Sequence, residues 1–232
     1  MSISAIKPVA QPASLRAHVE SMLSMAIISG ELAPGTLLTV PTLAIQFDVS
    51  ATPVREAMLD LEGRGFVEPV RNKGFRVTAV SDEVLRELVE VRQLLEPPAM
   101  EELARHFPTN HLSELEDLAD QIVFGARTGD LRAYLEADQR FHLALTRMLG
   151  NRILVDMVAD LRSRTRLVGL SAMLESSRLD ESAAEHHELL GYLKTGDSAA
   201  ARALMHRHIH HAVGWWAGNP EVDADSTAVS AN

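Results

Sequence analysis

The chain contains no cysteine. A disulfide framework, a thiol nucleophile and a thiolate metal site are therefore excluded. It also lacks any apolar run near the ~18 residues that a membrane-spanning helix needs. The opening segment, MSISAIKPVAQPAS, has one Lys, two Pro and no apolar core, so it does not read as a secretory signal. A cytoplasmic chain with no membrane partner is the expectation. What is present is ample apolar content: 46% of 232 residues, enough for a buried core and one or two domains.

Charge is unevenly spread. Residues 1–80 hold seven Lys/Arg and seven Asp/Glu, whereas residues 81–232 hold fifteen and twenty-five. The whole net charge of −10 thus lies in the second part. An acidic protein can still bind a polyanion if one surface is locally cationic. Arg55, Arg71, Lys73 and Arg76 can supply such a surface, and the acidic part would confine contact to it.

Residues 1–13 read as a flexible lead-in. Leu15, Val19, Met22, Leu23, Ala26 and Ile27 then form one helical stripe closed by Gly30. Leu43, Ala44 and Phe47 give a second, two-turn helix that Asp48 interrupts. Ser50 and Thr52 both suit the N-cap of a third helix, and capping at Thr52 places Pro53 at its first position. On that helix Val54, Ala57, Met58 and Leu61 face inward and Thr52, Arg55, Glu56 and Glu62 outward. Phe66–Val70 and Phe75–Thr78 alternate as strands around Arg71-Asn72-Lys73-Gly74, a turn with two cations. Helix, turn, helix and basic hairpin make a winged helix-turn-helix. The reading helix of such a module enters the major groove N-terminus first, and the wing touches backbone or minor groove.

VSATPVREAMLDLEGRGFVEPVRNKGFRV, with GELAPGTLL upstream, resembles the DNA-binding domain of the GntR family of bacterial transcription regulators. The resemblance implies operator contacts at Ser50, Thr52 and Arg55, with Gly74 at the wing tip. Many relatives carry Arg where Ala51 stands here, and some where Pro41 stands. Two cationic contacts are therefore absent, which bears on the operator sequence.

Past Thr78–Asp82 the strand pattern vanishes, and the chain up to about Trp216 reads as roughly six helices. Breaks are expected at Pro97-Pro98, Phe107–Asn110, Gly125–Asp130, Gly150-Asn151, Ser176–Asp180 and Thr195–Asp197. Val84, Leu88, Val91 and Leu95 form one stripe, which Pro97 or Pro98 must kink or restart. Nine of the ten histidines follow residue 100. The apolar stripe of the helix Leu131–Leu149 is interrupted by Asp138 and His142, one turn apart on one face. The stripe of Leu189, Leu190 and Leu193 begins with His186. That of Ala201, Leu204, Met205, Ala212 and Trp215 contains His208. Buried polar groups need partners. One Asp and three His can satisfy each other through zinc, nickel or another first-row divalent ion. The alternative is that each is a separately hydrogen-bonded core residue. His187, His206, His210 and His211 read as solvated, with His187 and His211 the substitutes if the helical phase is off.

DQRFH at 138–142, EHHELLGYLKTGD at 185–197 and the spacing to His208 resemble the FCD domain, the helical effector-binding domain of one GntR subfamily. The resemblance implies a divalent metal on Asp138, His142, His186 and His208. It also suggests Arg92 as a contact to an effector carboxylate, with a surface salt bridge to Glu96 as the alternative. Asn151 matches a structural position, a helix cap after Gly150.

The expected molecule is mostly α: a flexible 1–13, a winged helix-turn-helix at 14–79, an all-α antiparallel helical bundle at 80–218 and a disordered tail at 219–232. The expected function is a homodimeric regulator associated with the nucleoid, binding double-stranded operator DNA under control of a small organic acid. Two rivals are a purely structural metal and a metal-dependent hydrolase, the latter lacking a separate inward-facing base.

Overall fold

The computed structural model describes residues 15–165 and 177–214. The segments 1–13 and 219–232, together with Trp215, lie outside the described residues. Three helices open the chain: α1 (Leu15–Ile28), α2 (Val40–Gln46) and α3 (Ala51–Gly63). Strands β1 (Leu37–Leu38), β2 (Val67–Val70) and β3 (Gly74–Val77) form an antiparallel sheet in the order β1-β3-β2. Val67 pairs with Val77 and Leu37 with Arg76. This is the winged helix-turn-helix expected from the sequence.

On α3, Val54, Ala57, Met58 and Leu61 are fully buried, as the spacing predicts. Its N-cap is Ser50, not Thr52, and the Ser50 side chain makes no capping hydrogen bond. Pro53 therefore stands third in the helix. There its missing N–H still costs nothing, because the first four amides have no intrahelical acceptor. Asp48 takes a positive φ of 50° in the turn between α2 and α3.

The wing is fixed by Gly74. Its φ is +111°, and a side-chain carbon there would run into the Leu38 carbonyl of β1. Gly74 thus lets the hairpin lie against β1, at the foot of the turn rather than its tip.

Helices α4 (Asp82–Arg105), α5 (Leu112–Thr128), α6 (Leu131–Met148), α7 (Arg152–Arg164), α8 (Arg178–Thr195) and α9 (Ser198–His210) build the second half. Their starts follow from capping chemistry. Ser81, Asp130, Asn151 and Asp197 each accept a hydrogen bond from the amide three residues on. Helix α4 packs along α9, while α5 lies between α6 and α8.

Three expectations fail here. First, α4 passes unbroken through Pro97 and Pro98. The prolines delete two ladder hydrogen bonds, but the long contact with α9 holds the helix, since packing supplies most helical stability. Second, the buried face of α4 is Leu85, Leu88, Val89, Arg92 and Glu96, while Val84 and Val91 are 39% and 40% exposed. The true stripe carries two charges, so an apolar-only pattern settles one residue out of phase. Third, Gly125 lies inside α5 rather than in a break. A side-chain carbon at Gly125 would sit 2.7 Å from the Tyr134 amide nitrogen of α6. Gly125→Ala is expected to destabilise the fold by about 1–3 kcal/mol through overpacking, read as a lower urea midpoint with an unchanged slope.

Helix α1 has more buried surface than one stripe provides. Val19, Leu23 and Ile27 are buried, but so are Met25 and Ile28, while Leu15 is exposed. The extra burial arises because α1 is packed by α3 and also touches α6 and α7 of the second half.

Candidate functional site

Helices α6, α8 and α9 bring Asp138, His142, His186 and His208 together. All four are buried, and one ligand atom from each lies within 4.8 Å of the others. His142 Nε2 stands 3.2 Å from His186 Nε2. Asp138 Oδ1 is 3.2 Å from His186 Nε2 and 3.5 Å from His142 Nε2. These are the four residues that helical phase selects in the sequence.

The neighbours of the rings assign their tautomers. His186 Nδ1 is 3.1 Å from the Ala183 carbonyl, which can only accept, so Nδ1 carries the hydrogen. His208 Nδ1 is 2.8 Å from Glu185 Oε2 and is assigned the same way. Both rings therefore turn an Nε2 lone pair toward the cluster. Two converging lone pairs, a third imidazole and a carboxylate oxygen suit a divalent cation of the first transition row.

Electrostatics keep the set ready for a cation. Burial, and next the Arg162 guanidinium, push the His142 imidazole well below its usual range. Burial pulls His208 down to about 4, against the hydrogen bond to Glu185 that works the other way. Burial alone would raise the Asp138 carboxyl, but Arg162 and His142 together hold it well below the usual carboxylate range. At neutral pH His142 and His208 are thus neutral imidazoles and Asp138 an ionised carboxylate, the forms that bind a metal.

Beside the cluster runs a buried chain of ion pairs that the sequence reading largely missed. Asp138 Oδ2 accepts from Arg162 Nη2 at 2.5 Å. Arg162 Nη1 donates to Glu96 Oε2 at 2.9 Å, and Arg92 Nε donates to Glu96 Oε1 at 2.7 Å. Burial would raise the Glu96 carboxyl, yet Arg92 and Arg162 hold it at about 2. Arg92 does pair with Glu96, but in the interior, with both side chains only 3% exposed. Its Nη1 reaches Thr165 Oγ1 at 3.4 Å, and its Nη2 has no hydrogen-bond partner among the described residues. Arg92, Arg162, Thr165 and Asp138 line a small cavity of about 50 Å³.

Glu185 was also missed as a site residue, and His211 was read as solvated or as a substitute ligand. His211 is buried rather than solvated, and its Nε2 lies 3.2 Å from both Glu185 oxygens. Glu185 further accepts from Arg207 Nε at 3.0 Å. The signal was available: Glu185 stands one turn before Leu189, so it interrupts an apolar face as His186 does. His187 and His206 are exposed and His210 half-buried. His187 pairs with Asp120 at 3.0 Å, outside the cluster.

In the first half, Ser50, Thr52, Arg55, Arg71 and Lys73 are all exposed. Arg55 and Lys73 line one open groove of about 690 Å³ between α3 and the wing, with Gly74 at its edge. Among the described residues, Arg55, Arg71 and Lys73 form no ion pair, whereas Arg76 is tied to Glu68 at 3.2 Å.

A winged helix-turn-helix with free cations, joined to an all-helical domain with a buried three-histidine, one-carboxylate cluster, defines a two-domain bacterial regulator. The chain belongs to the GntR family, in the branch carrying an FCD domain. The family described as bacterial regulatory proteins, gntR family, matches residues 15–77, and the FCD domain matches residues 87–211. It is similar to the HTH-type transcriptional regulator McbR of Escherichia coli (strain K12), 29% identical over 194 residues, 83% of this chain and 88% of that protein. The Nta operon transcriptional regulator of Aminobacter aminovorans is 30% identical over 185 residues, 79% of this chain and 86% of that one. Among solved structures, E. coli McbR/YncC superposes with a TM-score of 0.76 at 27% identity, covering 88% of this chain and 98% of that one. These relatives are transcriptional regulators, not enzymes, which sets the hydrolase reading aside. No helix among the described residues is long and apolar enough to cross a membrane.

Proposed function

We propose that the chain is a homodimeric regulator that binds operator DNA through α3 and the wing. A small organic acid, bound near a divalent metal on Asp138, His142, His186 and His208, controls that binding. The observation that supports the metal is the convergence of the histidine Nε2 atoms and Asp138 Oδ1, with the His186 and His208 tautomers assigned from outside. Zinc fits the donor set, and nickel or another first-row ion also does. Such a metal, when bound, offers coordination positions that a ligand carboxylate completes. The observation that supports the acid is Arg92, a buried cation with a spare N–H on a cavity that Asp138 of the cluster also lines. A homodimer fits because one module reads few bases and two-fold operators mirror two-fold proteins. Effector and DNA are coupled through the ligand's unequal affinity for two domain arrangements.

On the DNA side, Arg55 supplies a base contact and Ser50 and Thr52 flank it at the start of α3, while Arg71 and Lys73 meet the backbone. Gly74 allows the wing its approach. Arg55→Ala is expected to weaken binding to an operator selected from random duplexes by about 1–3 kcal/mol. Lys73→Ala is expected to weaken selected and random duplexes alike and to lower the salt dependence by about one unit. Fluorescence anisotropy at several salt concentrations separates the two. Unchanged operator affinity in Arg55→Ala would place the reading face elsewhere on α3.

A further inference from the structure

The cavity beside Arg92 has one wall that the helical domain does not supply. Met25 and Ile28, both on α1 of the DNA-binding domain, line it together with Arg92, Asp138 and Thr165. We propose that Met25 and Ile28 are contact residues of the effector site, so that the ligand lies between the two domains and its size sets the position of α1. This rests on the carboxylate-effector reading above.

Three observations carry it. The cavity is built to receive an acceptor. Arg92 is 2% exposed, its Nε is committed to Glu96 and its Nη1 reaches Thr165, yet its Nη2 has no hydrogen-bond partner among the described residues. A buried N–H left without an acceptor is costly, and a ligand carboxylate relieves it.

The cavity is also too small. Its volume of about 50 Å³ is far below the roughly 300–1,000 Å³ of ordinary ligand pockets. A ligand larger than a few atoms must push a wall back. The polar wall is held by the linked pairs Arg92–Glu96, Glu96–Arg162 and Arg162–Asp138, all buried. Breaking such a chain strands uncompensated charge in the interior. The α1 part of the lining is two apolar side chains outside that chain of pairs, one of them a methionine, whose unbranched chain adapts readily to new shapes.

Finally, that wall has somewhere to go and something to carry. Met25 also borders the 780 Å³ cleft between the first domain and the Gly129–Arg132 connection, so it has open space on another side. Helix α1 packs on the reading helix α3 and is tied by charge to it and to its C-cap, through Arg16–Asp60 at 2.5 Å and through Glu20–Arg64. A shift of α1 therefore carries the DNA-reading face with it.

The absence of cysteine makes the test clean. Ile45→Cys on α2 and Phe124→Cys on α5, at positions 82% and 65% exposed, accept a dye pair that reports the distance between the domains. Zinc-loaded protein is titrated with mono- and dicarboxylates of two to six carbons, binding being read by calorimetry and distance by energy transfer. Long acids are expected to change the distance, and acetate to leave it unchanged. Met25→Ala should raise affinity for the long acids by about fourfold for each methylene the enlarged site admits, and shrink their effect on the distance. Ile28→Val, a one-methyl truncation, gives the same reading if Met25→Ala does not fold. Acids that bind with no change in distance, and with equal affinity in wild type and truncated protein, would overturn this inference and leave the effector reading standing. Absence of binding by every acid would overturn both.

Discussion

Arg162→Met is expected to be among the most damaging single substitutions in the helical domain. The Arg162 side chain is 7% exposed and bridges two buried carboxylates, Glu96 and Asp138. Removing it leaves Glu96 to Arg92 and takes the arginine from Asp138 Oδ2. Removing one partner of a buried pair costs about 3–5 kcal/mol, because the other charge is left uncompensated. For a chain of this size that is a fall in Tm of roughly 6–20 °C. The loss should depend on pH. Glu96 is held at about 2 against an ordinary 4.5, so its folded value is the lower one. Its contribution is complete above the unfolded value and disappears as pH falls toward the folded one. The gap between wild type and Arg162→Met should therefore be wide at pH 7 and narrow through the carboxylate range. Adding Asp138→Asn should recover part of the loss at neutral pH, since one stranded charge is then gone. A loss no larger than a surface pair's ~1 kcal/mol at pH 7 would show that solvent screens the chain of ion pairs.

The burial of the Asp-His cluster was legible in the sequence, and the ion-pair chain beside it was not, for one physical reason. Asp138, His142, His186 and His208 interrupt apolar stripes, so their burial follows from helical phase alone. Arg162 sits in the last turn of α7, a helix on which Val158 and Ser163 are buried. A basic residue there reads as a partner of the helix dipole. Its long side chain carries the charge inward, a reach that spacing does not encode. Arg92 and Glu96 failed differently. An apolar-only stripe passes over charged residues, so it settled one residue away from the buried face that carries Arg92 and Glu96. His211 follows the last turn of α9, where a helical projection has lost its phase. The winged domain was nearly complete in the sequence because Gly74, the turn at Arg71–Lys73 and the apolar face of α3 are local signals. The burial of Met25 and Ile28 was invisible, since it depends on a domain far along the chain.

The metal should stabilise the folded protein, and four histidine variants should separate the buried cluster from its surface neighbours. A ligand that binds only the folded state adds RT ln(1 + [M]/Kd), about 2.7 kcal/mol at a hundredfold excess over Kd. That corresponds to a rise in Tm of roughly 5–11 °C with zinc, reversed by a chelator. His142→Ala and His208→Ala are expected to abolish the rise. His206→Ala and His210→Ala should retain it, because those side chains lie outside the cluster. The pH dependence follows from the environment of the ligands rather than from free imidazole, whose ordinary value would make the response fade below about 6. Burial brings folded His208 down to about 4 and His142 well below its usual range. In the folded state protons then compete for these nitrogens only at distinctly lower pH. The unfolded chain, with ordinary histidines, takes up protons from about pH 6.5 downward. It binds more protons than the folded state there, so the metal-free protein loses stability as pH falls. At pH 5.5 the metal-free Tm should thus be lower than at pH 7, with most of the zinc-induced rise still present. A rise already gone at pH 5.5 would mean that the ligands titrate like solvated imidazoles. Equal loss of the rise in all four variants would assign the metal to surface histidines and leave Asp138, His142, His186 and His208 as a hydrogen-bonded core.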